Sequence, residues 1–405
     1  MIENAFSPFI RSVLPLLIDP ALANLPEPVA LESVLQFIEG WHHYALAKAS
    51  QYNREWKDTE IECKQAAEKL RSATDYLEAH LFDAMGSAAL HLGNVIEAER
   101  RFAHVEGLLS RIDDPYVRGQ LLAHQGEVLR TRGEWRLSEQ KFQAANRAFL
   151  DLDDETKCAW IDKKLGLLYL MQNHWIKGNT LLERCIEVFK ESNNTYEMAK
   201  TYIALGWGYT QSGDWHQALN NRQEALKLTQ RHRVMGERPD EFLQMQGHVY
   251  LGLTLHQLGF LEDGLRHLNT AKEISDRLQE MHERSTILSG LSNAYFDCYR
   301  LTSDMECLTL ADRYAQVAVE ESRQAQDRRR YARAMMYQGS LWLRPGMLEE
   351  AINLLEEARR IFRALEHHYY LATVAIYLGE AYMMSGEYGP LGVCVDEGIK
   401  EAQAY

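Results

Sequence analysis

The stretch RGEWRLSEQKFQAANRAF, Arg132–Phe149, decides the fold because the chain repeats it in altered spelling. REWKDTEIECKQAAEKL starts at Arg54 and SGDWHQALNNRQEALKL at Ser212. Each copy sets an acid before a Trp and a small residue three places after it. Each then runs on in strong helix formers. Turn, aromatic, small residue and helix, written more than once, suggest a structural repeat rather than a catalytic signature.

Working outward, every apolar run carries a small residue near its middle. These are Gly86, Gly126, Gly166, Gly206, Gly252, Ser292, Gly339 and Gly379, so the step is forty positions except for two longer ones, before Gly252 and before Gly339. Nine places later comes Val95, Trp135, Trp175, Trp215, Leu261, Leu348 or Tyr388, and three further on Ala98, Ser138, Gly178, Ala218, Gly264 or Ala351, with Leu391 as the exception. Gly93, Gly133, Gly213, Gly259, Gly346 and Gly386 mark the turns, with Asn173 substituting once. A turn Gly or Asn supplies the left-handed residue that ends a helix. A mid-helix Gly and a later small residue allow two helices to cross closely, and the Trp, Leu or Tyr is expected to fill the gap under that crossing. Trp56 precedes Val95 by one position less than a full repeat and adds one more copy, starting near Gly40.

The pattern predicts nine helix–turn–helix units over residues 40–405, stacked as antiparallel pairs into a right-handed, all-α solenoid. Residues 1–39 are expected to form N-terminal capping helices, EPVALESVLQFIEG among them. Two places break the rhythm, near 231–240 and 298–310, and any flexing is expected there. In the second, a short insertion intervenes before the pattern resumes at Ala311.

Composition narrows the function. The chain has 405 residues, 46% of them hydrophobic, and a formal charge of −14. That acidic balance argues against nucleic acid as a direct partner, since phosphate contacts need clustered cations. The N-terminal stretch MIENAFSPFIRSVLPLLIDPAL offers neither a basic leader nor an unbroken apolar span, so no membrane partner and a cytoplasmic location are expected. Six Cys occur with no CxxC pair, consistent with a reducing compartment. No phosphate-binding loop, GxSxG, HExxH or EF-hand loop is present. Catalysis, a cofactor and a metal site are therefore not expected. His248, His256 and His267 form the one histidine grouping that helical spacing could bring together. Basic clusters at Arg231–Arg238 and Arg328–Arg333 read as solvated helix ends, with docking of an acidic segment as the alternative.

YIALGWGYTQSGDWHQALNNRQEAL, from Tyr202, resembles the tetratricopeptide repeat consensus, and the resemblance runs over roughly residues 40–400. The unit here is longer than the standard tetratricopeptide unit by six positions. Such long units are similar to those of spindle-orientation and kinesin-light-chain adaptors, of maltose-activator-type sensors and related ATPases, and of Rap-type peptide receptors. The resemblance implies that the first helix of each unit lines a concave face and that partner contacts come from it. Carried onto this chain, those positions are Glu127, Arg130, Trp160, Lys163, Lys164, Lys200, Trp207, Gln211, Asn293, Arg333 and Tyr337. Such a face suits a protein or peptide with apolar anchors and acidic residues. It implies a scaffold or adaptor, or else a ligand-gated regulator whose solenoid controls an effector.

Overall fold

The computed structural model describes residues 40–404, apart from 41, 48–49, 51–55, 70–74, 93, 113, 235–237, 279–282, 325–327, 345 and 366–367. The proposed cap at 1–39 lies outside the described residues. The chain divides into two compact units at Val128/Leu129.

The first unit contains α1 (Trp56–Lys69), α2 (Asp75–His91), α3 (Val95–Leu108) and most of α4 (Pro115–Arg132). Its core joins Phe102 and Val105 of α3 to Val117, Leu121 and Val128 of α4. His124 is part of this packing, with Nδ1 2.6 Å from Asp83 Oδ1 and its ring stacked on Phe102.

The second unit begins within α4 and continues through α5 (Trp135–Leu150), α6 (Glu155–Met171), α7 (Trp175–Glu191), α8 (Thr195–Gln211) and α9 (Trp215–Arg231). A two-residue antiparallel ribbon follows, β1 (Arg233–Val234) against β2 (Arg238–Pro239), with Val234 opposite Arg238. Then come α10 (Glu241–Gln257), α11 (Leu261–Leu278), α12 (Arg284–Thr302), α13 (Met305–Gln324), α14 (Arg328–Leu341), α15 (Leu348–Ala364), α16 (His368–Ser385) and α17 (Tyr388–Ala404). From α5 onward each helix packs on the next, and the first helices of successive pairs, α6, α8, α10, α12, α14 and α16, also touch one another. They form the inner layer of a stack of helical hairpins.

The periodic residues have a packing reason that the spacing did not fully reveal. Gly86, Gly166, Gly252 and Gly339 are each a notch for the side chain sixteen residues later, whereas Gly379 meets Leu391, twelve residues later, at an ordinary 3.5 Å. A Cβ on Gly166 would stand 2.8 Å from Leu182 Cγ, and one on Gly252 would stand 2.9 Å from Leu268 Cγ. Phe102, Leu268 and Leu355 take the same address and are fully buried. Burying a side chain of this size stabilises by about 1.5–3 kcal/mol. The Trp residues do less than expected: Trp135, Trp175 and Trp215 are half-buried at helix starts, and the Trp56 side chain lies outside the described residues. Gly178 meets the Gly166 carbonyl 3.0 Å from where its Cβ would stand, so the two small markers do face each other at the crossing. Between pairs, Asp153 and Asn193 turn left-handed at φ 53° and 51°. The next residues, Asp154 and Asn194, then cap α6 and α8 by accepting from Lys157 N and Glu197 N. At these two joints the added positions thus hold a stop and a start signal.

The α8–α9 unit departs in another way. The side chain in the notch of Gly206 is Arg222, 4% exposed. Its Nη1 donates to the Tyr250 carbonyl at 2.8 Å and to Thr254 Oγ1. Burial pulls its pKa down to about 10. One repeat after Phe149 and Phe189, the buried residue is Thr229. The extra residues expected as an irregular joint at 298–310 are in fact helical. They lengthen α12 and α13, and the turn between them is only Ser303 and Asp304. Helical hydrogen bonding satisfies those residues locally, so they form an overhang rather than a loop.

Candidate functional site

The inner layer of the second unit carries two polar stations. The first lies on α6 and α8. Lys157, Trp160 and Lys164 are three and four residues apart and share one face of α6. The two ammonium groups stand 5.3 and 4.3 Å from the Trp160 ring. On α8, Lys200 lies 5.3 Å from the Tyr196 ring, its Nζ donating to Tyr196 Oη at 3.3 Å. The Tyr196 ring in turn meets that of His232 at 5.7 Å. All five residues of the two helices are partly accessible. Cations over aromatic faces are favoured by about 0.5–1 kcal/mol at exposed sites.

Lys163 behaves differently from its neighbours. It is 6% exposed and ion-paired with Glu197 across the α6–α8 contact. Burial alone would push the Glu197 carboxyl up, but Lys163 and Lys200, and to a smaller extent Lys164, hold it below the usual carboxylate range. The expected groove cation is therefore a structural one: turned into the helix interface, its charge is answered by Glu197. Trp207 likewise packs on Leu170, Leu182, Ile186 and Ala204.

The second station lies on α10, α12 and α14. Arg333 donates to Thr286 Oγ1 at 2.6 Å. Burial would lower the Arg333 pKa, but Tyr370, Tyr337 and Tyr250 outweigh it, so the guanidinium stays charged. Beside it Arg330 pairs with Glu283 at 3.2 Å, the two side chains 11% and 7% exposed. The Glu283 charge, ahead of burial, pushes the Tyr250 hydroxyl up to about 12. Arg284 bonds Glu321 at 2.8 Å and also Asp276. Tyr337 packs half-buried against the α14–α16 core, and Asn293 is half-buried on α12.

The remaining expected site residues are not gathered with these. Glu127 belongs to the first compact unit. Arg130, in the second, points its Nη1 at Met171 Sδ, 3.4 Å away. Gln211 closes α8, half-buried. Sequence reasoning missed Glu197, Tyr196 and Lys157. The Lys157–Trp160 and Tyr196–Lys200 spacings are the signal that could have found two of them.

His248 and His267 do meet, Nδ1 to Nδ1 at 2.8 Å, but His256 is drawn to Asp297 at 2.9 Å. Among the described residues no three or more His, Cys, Asp or Glu are placed to hold a metal ion, and no helix is long and apolar enough to cross a membrane. An open depression of about 500 Å³ lies at the turn edge of α5, lined by Glu134, Trp135, Leu137 and Gln172 among others. It contains none of the inner-layer residues.

No family model and no curated protein matches the sequence. Solved structures do match. A Rap protein complexed with Competence and Sporulation Factor aligns at TM-score 0.66 and 12% identity, covering 92% of this chain and 100% of that one. The Rap conjugation gene regulator of the plasmid pLS20, in complex with a Phr peptide, aligns at 0.55 and 15%, covering 90% and 96%. The apo quorum sensor NprR from B. thuringiensis aligns at 0.55 and 12%, covering 88% and 99%. Identity this low carries the fold alone. By its repeat, its notched helix pairs and these matches, the chain is a tetratricopeptide-like α-solenoid.

Proposed function

We propose that this chain is a non-catalytic binding module, a scaffold or adaptor that holds a peptide or helix of a partner protein along the first helices of its second unit. The observation that carries the reading is the α6–α8 station: Trp160 flanked by Lys157 and Lys164, with Tyr196 and Lys200 on the adjoining first helix, in a chain of net charge −14. Local positive charge in an acidic protein favours acidic partners and disfavours neutral or basic ones. An apolar side chain laid on Trp160 supplies the anchor, and Asp or Glu beside it meets the lysines. Two of the matching solved structures hold a peptide or a named factor, in agreement with this reading.

An aromatic anchor of this kind contributes about 2 kcal/mol or more on truncation, and each exposed charge pair about 0.2–1 kcal/mol. The test is selection from a random peptide display library. The selected peptides should combine Asp or Glu with one aromatic or long aliphatic residue. Trp160→Ala should weaken them by roughly thirtyfold, with helicity by circular dichroism unchanged. Peptides without acids, or binding indifferent to Trp160→Ala, contradict the proposal.

A further inference from the structure

The helical overhang of α12 and α13 brings together two thiols that peptide binding leaves unused. Cys298 lies in the last turns of α12 and Cys307 in the first turn of α13, and their Sγ atoms are 2.8 Å apart. A disulfide bond is about 2.05 Å long, so closure needs a shift of under about 1 Å. The turn that sets this approach is itself fastened. Ser303 caps α12 in the left-handed region at φ 58°. The Thr302 hydroxyl donates to the Cys298 carbonyl at 2.8 Å. Thr302 Oγ1 then accepts from Asp304 N at 3.2 Å, and Asp304 Oδ1 accepts from Glu306 N at 2.9 Å.

The two sulfurs differ in access. Cys298 is half-buried, whereas Cys307 is 9% exposed, so a reagent arriving from solvent meets Cys298 first. The Cys307 thiol is held protonated, first by its hydrogen bond with Cys298, then by burial and the nearby Asp304. The other cysteines serve as internal references: Cys63, Cys185 and Cys394 are buried, and Cys158 points its thiol toward the Asn146 carbonyl at 3.9 Å.

We propose that Cys298 and Cys307 form a reversible thiol–disulfide site, oxidised by exchange with a low-molecular-weight disulfide of the glutathione class. The Cys298 thiolate attacks one sulfur of that disulfide, forming a mixed disulfide and releasing one thiolate. Cys307 then gives its proton to the small thiolate released in the first step. The new thiolate attacks Cys298 Sγ and expels the second small thiolate. Two protein thiols are oxidised to one disulfide and one small disulfide is reduced to two thiols, so electrons balance. The product closes a short ring, Cys298 to Cys307, and staples the two overhanging helix ends. This inference does not depend on the peptide-binding reading.

The test treats the reduced, folded protein with glutathione disulfide at increasing concentration, then alkylates and digests with trypsin. Cleavage after Arg300 separates the two cysteines, so their disulfide appears as a linked peptide pair that a phosphine reductant dissolves. The wild type should give that pair, with Cys63, Cys185 and Cys394 still alkylated after unfolding. Cys307→Ser should stop at one glutathione on Cys298, and Cys298→Ser should leave Cys307 reduced. A wild type that accumulates glutathione on Cys298 without linkage, or that keeps both thiols at every concentration leaving the fold intact, overturns the proposal.

Discussion

The inner layer of the second unit holds cations in two kinds of company. On α6 and α8, Lys157, Lys164 and Lys200 lie over aromatic rings, and the buried carboxylate among them, Glu197, is taken by Lys163. On α12 and α14, Arg330 and Arg284 are matched to Glu283 and Glu321. The same address in the repeat thus holds cations over aromatic rings in one place and cations paired with carboxylates in the other. What faces a cation decides its role, not how many cations the helix carries. Arg222 shows a third arrangement: it fills a notch made for Leu or Phe, bonded to a carbonyl and a hydroxyl, with the Tyr250 ring 5.9 Å away.

The largest effect should come from breaking the cohesive station. Glu283→Gln leaves Arg330 buried without its charge partner and should destabilise by about 3–5 kcal/mol in denaturant unfolding. If the loss stays below about 1 kcal/mol, the pair is solvated and the contrast between the stations collapses. Arg222→Leu should act in the opposite direction. It restores the residue type found at Leu182 and Leu268, removes a buried charge, and should stabilise by about 1–3 kcal/mol. A destabilised variant would mean that the guanidinium is integral to the α9–α10 contact.

A pH measurement sharpens the comparison, because it isolates a single group on α10, His248. Burial first, and the neighbouring His267 second, lower the His248 pKa from 6.5 to about 4. The folded chain therefore keeps this imidazole neutral while the unfolded chain takes up a proton below 6.5. Stability from this group is complete above pH 6.5 and declines as the pH falls from 6.5 to about 4. Discounted for partial solvent access, the decline should amount to about 1–2 kcal/mol. His248→Gln should flatten that part of the profile, and an unchanged slope would show that other groups cause it. The smallest stability effect belongs to the α6–α8 station. Lys164→Gln and Lys200→Gln remove a charge without adding a like charge beside Glu197, and each should move unfolding by less than about 1 kcal/mol. Larger losses would class these lysines with Lys163 as structural.

Much of the fold was legible because a solenoid repeats its packing rules. Gly166, Gly178 and Asn173 each do in space what their spacing implied. The notch rule itself stayed hidden, although Phe102, Phe142 and Leu182 recur at the regular repeat step in the sequence. The Trp residues drew attention through size, while the deeper fillers were ordinary Phe and Leu. The candidate site was legible only as a set of positions. Counting from the mid-helix Gly placed Lys163 and Lys164 side by side, but partner choice depends on the next first helix, at Glu197. The meeting of Cys298 and Cys307 likewise depends on where α12 stops, at Ser303, and the broken repeat gave no warning of that helical end.

Isothermal titration of one selected acidic peptide tests the recognition role of the α6–α8 face most directly, run on the wild type and on the Lys164→Glu/Lys200→Glu double variant at two salt concentrations. Binding to the variant should be at least tenfold weaker at low salt, with a difference that shrinks as salt rises. Equal affinity for both proteins at low salt would contradict this role and move the partner away from the α6–α8 face.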